Sequence, residues 1–252
     1  MTDSTILAGI TVGETDGVDV DSTVGAYIAR NHIEVGDDGV ALKSGMGACG
    51  RRFGRPTANV IIENNFFNFS GGVAIGSEMS GGVRNVTMTD CVLGDPSNTR
   101  RQLQVDPTPK SSAATWAGIH LKAERGRGGY IKEINLLNLD VVGPVSDPIF
   151  ISMFYSDARP QTNATATPAF SAIKVANVLV HDAQPGKAGW AGSLVGLPEA
   201  KITDIELRNV TVKGGSPGSQ AWDCSAVASG TAAGVTPPLP AGCFEKRETR
   251  VD

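Results

Sequence analysis

The sequence predicts an all-β solenoid, in which short strands stack coil upon coil and helices are almost absent. Two repeated patterns carry this prediction: a glycine-led strand motif and a second strand type in which an Asn or Asp recurs at one point. No long segment shows the 3.6-residue period of an amphipathic helix. Stacked units of roughly 20–45 residues are typical of solenoids, and we expect roughly six or seven coils here.

The first repeated motif is a glycine followed by a strand with one buried face. Its copies are GVDVDS from Gly17, GVALKS from Gly39, GVAIGS from Gly72 and GIHLKA from Gly118. Apolar and variable residues alternate in each copy, so the apolar ones should point inward. The expected buried residues are Val18, Val20, Val40, Leu42, Val73, Ile75, Ile119 and Leu121.

The second strand type carries a polar residue at a recurring bend. These residues are Asn31, Asn64, Asp90, Asn138, Asn177 and Asn209. Stacked asparagines at a bend satisfy the backbone polar groups of a turn in coil after coil. The missing helices exclude a TIM barrel, and the missing blade signature disfavours a β-propeller.

Composition fits one solenoid domain over residues 1–213 and an irregular tail over 214–252 that is rich in Gly, Ser, Pro and Ala. The net charge of −4 and the lack of a basic stripe make nucleic-acid binding a poor hypothesis. No apolar run reaches the roughly 18 residues of a transmembrane helix, so we expect no membrane partner. The N-terminus lacks the pattern of a signal peptide.

The four cysteines do not form a C-x-x-C pair, so a zinc site is not expected. Cys224 and Cys243 flank a Pro/Gly-rich segment and could form a disulfide in an oxidising compartment. Free thiols are the equally weighted alternative.

Aligning the motif copies brings three carboxylates together. Asp16 and Asp38 directly precede Gly17 and Gly39, and Asp37 precedes Asp38. Because adjacent coils lie about 4.8 Å apart, we expect the three to share one solvent-facing groove. Repulsion should raise the pKa of one of them, as a general acid and base require. The alternative is that D-D-G and T-D-G simply form turns.

These motifs resemble those of glycoside hydrolase family 28, the polygalacturonases and their relatives. The segments, in the family's order, are ETDGVDVDS, VGDDGVALKSG, GRPTANVIIENNFF, GGVAIGSEMSGGVRNV, IHLKAERGRGG and GLPEAKITDIELRNVTV. They extend from about Thr15 to Val212, and GSEMSGGVRN resembles the bacterial exo-acting members. The resemblance implies a right-handed parallel β-helix, secreted or periplasmic, that hydrolyses galacturonic-acid-containing pectic polysaccharide without a metal or other cofactor.

The resemblance also implies catalytic roles for the three aspartates. Asp37 matches the general acid, and Asp16 and Asp38 match the carboxylates that activate water. Hydrolysis then proceeds with inversion, for which acid and base stand roughly 6.5–9.5 Å apart to admit water.

Substrate-binding roles follow from the same resemblance. Lys122 matches the lysine of the R-I-K motif, which contacts a substrate carboxylate. Glu78 is a further candidate, with a plain surface charge as the alternative. Lys43 is expected to be an ordinary solvated side chain.

Three departures from the family pattern stand out. Ser70 occupies the place of the G-H-G histidine, His120 replaces the R-I-K arginine, and Glu14 replaces the N-T-D asparagine. We retain Ser70 and His120 as substrate-binding candidates. Only Met1–Val12 precede the first motif, so we expect a partial β-helix that lacks the family's N-terminal coils.

Loss of the arginine weakens bidentate recognition of a uronate, so an altered specificity such as rhamnogalacturonan is the second hypothesis. A titrating His120 predicts weak activity on polygalacturonate and an affinity that falls as pH rises through roughly 6 to 7. A non-catalytic carbohydrate-binding β-helix is the third hypothesis, and the three crowded carboxylates argue against it. The expected partner is a poly- or oligosaccharide, with linkage, chain-end preference and oligomeric state left open.

Overall fold

The chain forms a right-handed parallel β-helix with one short helix in its described part, as the sequence predicts. The computed structural model describes residues 1–9, 13–68, 70–94, 115–155, 166–183, 190–214 and 221–245. Across these ranges, no helix has the length and apolar character needed to cross a membrane.

The elements are named in chain order. They are β1 (Thr5–Leu7), β2 (Val18–Asp21), β3 (Val24–Ala29), β4 (His32–Glu34), β5 (Val40–Lys43), α1 (Gly47–Phe53), β6 (Thr57–Glu63), β7 (Phe66–Asn68), β8 (Val73–Ile75), β9 (Val83–Leu93), β10 (Thr115–Lys122), β11 (Tyr130–Ser152), β12 (Ala169–Ala183), β13 (Trp190–Val195), β14 (Thr203–Gly214), β15 (Ala221–Ser225) and β16 (Gly230–Thr236).

The strands form three parallel stacks. The first stack runs β2, β5, β8, β10, the end of β11, β13 and β15. The second runs β3, β6 and the first parts of β9, β11, β12, β14 and β16. The third runs β1, β4 and β7, followed by the later parts of the same long strands. The first stack thus has seven strands in the described residues, within the expected number of coils.

The bend between the second and third stacks explains the recurring asparagines. Asn64, Asn138, Asn177 and Asn209 have φ angles of 54°, 53°, 56° and 56°, in the left-handed region that Asn tolerates better than most residues. Asn138 donates to Asp90 at 3.1 Å, Asn177 to Asn138 at 2.9 Å and Asn209 to Asn177 at 3.2 Å. The side chains therefore form a hydrogen-bonded ladder along the helix axis.

Asn31 does not belong to this ladder, so the predicted alignment of Asn31 with Asn64 is wrong by one residue. Arg30 takes the left-handed position in that coil, with φ at 55°. Asn31 instead donates to Asn65 Oδ1 at 2.9 Å, in a second polar column directly beside the first. The adjacent asparagines Asn64 and Asn65 made the two columns indistinguishable by pattern.

The alternating residues of the first stack point inward as predicted. Val40, Leu42, Ile75, Ile119 and Leu121 are fully buried in the core that the three stacks enclose. Val18, in contrast, is only partly buried. In the described part, β2 has a neighbouring strand, β5, on one side alone. Val18 therefore packs against fewer residues than its counterparts in later coils.

The predicted irregular tail over 214–252 is wrong for the residues that β15 and β16 occupy. These strands pair with β13 and β14 and continue the first and second stacks. Trp222 is buried over Gly192, and a disulfide joins Cys224 to Cys243 with their Cα atoms 5.3 Å apart. The alanine- and glycine-rich composition concealed this coil, because it weakens the apolar alternation. The remaining parts, 215–220 and 246–252, lie outside the described residues.

Candidate active site

Two glycines bring the turns before β2 and β5 into close contact. The Gly17 N–H donates to the Asp38 carbonyl at 2.9 Å. A Cβ on Gly17 would lie 2.5 Å from the Gly39 carbonyl oxygen, and one on Gly39 would lie 2.8 Å from that of Gly72. Larger residues would therefore push the coils apart. With Val18 opposite Val40, this register places Asp16 beside Asp38.

Asp16, Asp37 and Asp38 form the expected carboxylate cluster. One oxygen of each lies within 4.8 Å of one oxygen of both others. The Asp38 N–H donates to Asp37 Oδ1 at 2.9 Å and to Asp16 Oδ1 at 3.2 Å. The Glu14 N–H donates to Asp37 Oδ2 at 3.0 Å, so the first coil also orients the carboxylate of the second. The three carboxylates therefore lie together as predicted, but Asp38 is buried rather than facing solvent.

Lys122 reaches this cluster from two coils further along the first stack. Its Nζ donates to Asp38 Oδ2 at 2.8 Å, and only 6% and 5% of the two side chains are exposed. Burial raises the pKa of Asp38 to about 6; the Lys122 charge opposes this rise, and Asp37 and Asp16 reinforce it. One carboxyl pKa is thus raised as expected, but burial is the main cause and the repulsion that we expected to raise it contributes less. The Lys122 ammonium also lies 5.0 Å from the centre of the Tyr155 ring.

Lys43 is part of the cluster, which the expectation of a solvated side chain missed. Its Nζ donates to Asp16 Oδ2 at 2.8 Å and to Asp19 Oδ2 at 3.0 Å. Burial alone would lower the pKa of Lys43, but the hydrogen bonds with Asp16 and Asp19 outweigh it and raise the pKa. The signal in the sequence was its position in an outward column of the G-D-D-x-x-x-x-K-S-G motif.

His120 lies in the predicted column but is buried rather than open to a substrate. It is aligned with Ala74 and Phe150, its ring centre is 5.2 Å from that of Phe150, and 5% of the residue is exposed. Burial, with the Lys122 charge adding to it, lowers the pKa of His120 to about 3. With this pKa the imidazole is neutral near pH 6–7, which argues against the predicted pH-dependent affinity at His120. In this geometry its ring is also too enclosed to bind a sugar directly.

Ser70 is likewise not placed to bind substrate. It is 0% exposed, and its Oγ accepts a hydrogen bond from the Gly72 N–H at 3.1 Å. The side chain therefore closes the turn before β8 from inside. The motif alignment predicted where Ser70 lies along the coil, but it did not predict the direction of its side chain. That side chain points away from solvent, beneath the groove.

Glu78 lies apart from the aspartates, in the turn that follows β8 rather than in the turns that precede the strands. Its carboxylate accepts from Ser77 Oγ at 3.2 Å and lies 3.8 Å from the Arg127 guanidinium. Arg127 also pairs with Glu124 at 3.1 Å. The side chain of Glu78 is 36% exposed, so it is accessible to a substrate. Its role in substrate binding stays a prediction, at a position away from the aspartates.

The carboxylate cluster has the donor atoms and spacing of a cation site. Lys43 and Lys122 already supply positive charge to Asp16 and Asp38. The arrangement is therefore suited to proton transfer by the carboxyl groups themselves, and we assign it no metal.

Proteins of similar sequence match most of the chain. The chain is 29% identical over 236 residues to a probable polygalacturonase of Vitis vinifera, covering 92% of this chain and 43% of that protein. It is 30% identical to a polygalacturonase of Ralstonia nicotianae, covering 86% of this chain and 36% of the relative. An endo-polygalacturonase of Pectobacterium carotovorum is 26% identical, with 83% and 46% covered. The chain thus spans less than half the length of these relatives.

Solved structures share the fold. A hyperthermoactive exopolygalacturonase from Thermotoga maritima aligns with a TM-score of 0.63 and 24% identity, over 89% of this chain and 45% of that one. A family 28 exopolygalacturonase of Yersinia enterocolitica aligns with a TM-score of 0.57 and 15% identity, over 92% and 38%. The model of the glycosyl hydrolases family 28 matches residues 1–233, and the chain therefore belongs to glycoside hydrolase family 28.

Proposed function

We propose that this chain hydrolyses glycosidic bonds in galacturonic-acid-containing pectic polysaccharide by general acid and base catalysis with inversion. The observation that carries the proposal is the cluster of Asp16, Asp37 and Asp38, which lies on family motifs and whose charge two lysines partly neutralise. A purely structural turn has no need for three crowded carboxylates, because their repulsion opposes folding.

In this mechanism Asp37 gives its proton to the glycosidic oxygen as the bond to the anomeric carbon breaks. A water molecule attacks that carbon from the opposite face, and Asp16 or Asp38 accepts the water's proton. The new bond leaves a reducing sugar of inverted configuration, and exchange with solvent restores both carboxyl groups. The three aspartates are close enough to act on one substrate, because one oxygen of each lies within 4.8 Å of one oxygen of the other two.

The closest approach of the carboxylates is shorter than the usual spacing of an inverting pair. Their nearest oxygens lie within 4.8 Å, whereas inverting carboxyl groups are typically about 6.5–9.5 Å apart. The distance between nearest oxygens is shorter than the distance between whole carboxyl groups. The stereochemistry of the product tests whether hydrolysis proceeds with inversion.

We expect the first product released from a pectic oligosaccharide to have the anomeric configuration opposite to that of the cleaved bond. Proton NMR of the anomeric region in the first minutes, before mutarotation, measures this directly. Initial retention of configuration would show that one aspartate acts as a nucleophile and would remove the inverting mechanism.

The second candidate is hydrolysis of a polymer with fewer uronates, such as rhamnogalacturonan. The described carboxylates Asp16, Asp19, Asp37 and Asp38 outnumber Lys43 and Lys122 by two charges when all are ionised. His120 adds no positive charge near neutral pH, because its pKa is about 3. This excess of negative charge favours a neutral sugar near the cluster over a second carboxylate.

We also propose that the chain acts in an oxidising compartment, either outside the cell or in a periplasm. The disulfide between Cys224 and Cys243 supports this placement, because such bonds persist mainly in oxidising surroundings. The reactants are a poly- or oligosaccharide and water.

A further inference from the structure

Lys43 connects two aspartates of the first coil. Its ammonium donates to Asp16 Oδ2 at 2.8 Å and to Asp19 Oδ2 at 3.0 Å. Asp16 and Lys43 are partly enclosed, with 19% and 22% of their side chains exposed, while Asp19 is 48% exposed. The more enclosed contact is therefore the one with Asp16, where an ion pair is screened less by water.

The direction of the Lys43 side chain is fixed by its surroundings. In the register of β2 and β5, Lys43 lies opposite Asp21. Asp21 Oδ1, however, accepts hydrogen bonds from the Gly45 N–H at 3.2 Å and from Ser22 Oγ at 2.7 Å. Lys43 instead extends towards Asp19 and Asp16. The small side chain of Ala41, aligned with Asp19, leaves space for it.

Asp16 and Asp38 differ in their surroundings although each pairs with a lysine. Asp16 receives the Lys43 ammonium on one oxygen and the Asp38 N–H on the other, and it keeps contact with solvent. Asp38 is almost fully enclosed with Lys122, and burial raises its pKa to about 6. The charged groups around Asp16 are thus three carboxylates, Asp19, Asp37 and Asp38, and the Lys43 ammonium. Asp16 is therefore the carboxylate that accepts hydrogen bonds from Lys43 and from the Asp38 N–H and is also accessible to water.

We propose that Lys43 is a positioning residue for hydrolysis: anchored by Asp19, its ammonium holds the Asp16 carboxylate in position to accept the proton of the attacking water. This assignment rests on the proposed function and selects between the two carboxylates left open there. The water oxygen bonds to the anomeric carbon, its proton passes to Asp16, and the Asp37 proton passes to the leaving oxygen. Lys43 gains and loses no proton in the cycle.

The test compares turnover of the parent with that of Lys43→Met, which keeps the length and apolar stem of the side chain. We expect kcat to fall by about 10- to 100-fold, the usual cost of a lost charge-assisted hydrogen bond, with KM within about threefold. Lys43→Arg, which keeps the positive charge, should recover most of the loss. A purely structural role would not produce this split between kcat and KM.

Lys174→Met is the matched control. Lys174 forms a similar ion pair between successive coils, with its Nζ 2.9 Å from Glu206 Oε1, but it lies on the second stack. Its kcat should match that of the parent. Thermal unfolding of both variants checks that each remains folded.

A measurement that needs no activity tests the pairing itself. Only the unprotonated amine reacts with an acylating reagent, and the contacts of Lys43 with Asp16 and Asp19 keep it protonated. In competitive acylation followed by peptide mass spectrometry, Lys43 should react several-fold faster in Asp16→Asn than in the parent. Lys174 should react equally in both.

The outcomes separate the two proposals. Unchanged turnover in a folded Lys43→Met variant overturns the role of Lys43 and leaves the hydrolase intact. Unchanged acylation of Lys43 in Asp16→Asn overturns the pairing. A parent chain that hydrolyses no pectic polymer overturns the proposed function, and the positioning role with it, even where the acylation result stands.

Discussion

Replacing Asp37 with asparagine should lower turnover by about 100- to 10,000-fold, the usual contribution of a general acid, while substrate affinity changes little. The amide keeps the shape of the side chain and can still accept the Asp38 N–H, which lies 2.9 Å from Asp37 Oδ1, although it loses the hydrogen bond from the Glu14 N–H to Oδ2. It cannot transfer a proton to the leaving oxygen. Steady-state kinetics, with affinity measured separately by calorimetry, provide both quantities.

Asp38 is the competing candidate for the acid, because its pKa is raised to about 6. An aryl glycoside with a good leaving group distinguishes the two, since such a group departs without protonation. Loss of the true acid should therefore be much milder on the aryl substrate than on the polymer, and loss of a base should be equal on both. If Asp38→Asn rather than Asp37→Asn shows the milder loss, the acid role moves to Asp38.

Replacing Lys122 with methionine should destabilise the fold at alkaline pH by about 3 kcal/mol, because it leaves the enclosed Asp38 without its counter-charge. For a chain of this size that corresponds to a fall in Tm of roughly 10 °C. The pKa of Asp38 is raised from 3.8 to about 6, so the stability gained from its protonated form is full below 3.8 and is lost as pH rises through about 6. Removing Lys122 raises the pKa of Asp38 further, because the lysine charge favours the ionised carboxylate. The pH range over which stability falls then extends to higher pH.

The destabilisation of Lys122→Met should therefore be largest near pH 8 and small near pH 5, where Asp38 is mostly protonated in both proteins. Thermal unfolding at the two pH values measures it. Adding Asp38→Asn should remove most of the pH dependence, because no carboxylate remains to be charged. A Tm difference that is the same at both pH values would mean that Lys122 contributes packing alone.

The repeats predicted the fold and the place of the aspartates because both depend on register. A one-residue slip between neighbouring strands would turn their apolar residues outward, and the aligned motif copies give the register that places Asp16 beside Asp38. The same alignment placed Lys122 two coils beyond Asp38, as found.

The alignment could not show what covers an outward residue. His120 occupies the expected column, yet Phe150 on the next coil packs against its ring. Lys43 bends towards Asp16 rather than towards Asp21, the residue opposite it in the strand register. Such outcomes depend on contacts between coils rather than on a period along the chain. The last coil escaped notice for a different reason, since a buried Trp222 and a disulfide replace the usual apolar alternation.

The central claim, that this chain hydrolyses pectic polysaccharide through its aspartate cluster, is tested most directly by reducing-end release. Polygalacturonate and rhamnogalacturonan are compared side by side, with the parent and with a variant that carries Asp16→Asn, Asp37→Asn and Asp38→Asn together. We expect steady release from polygalacturonate by the parent and none by the folded triple variant. Release from rhamnogalacturonan alone would transfer the function to the second candidate. A parent that binds these polymers but releases no more reducing ends than the triple variant would contradict the account and identify a carbohydrate-binding β-helix.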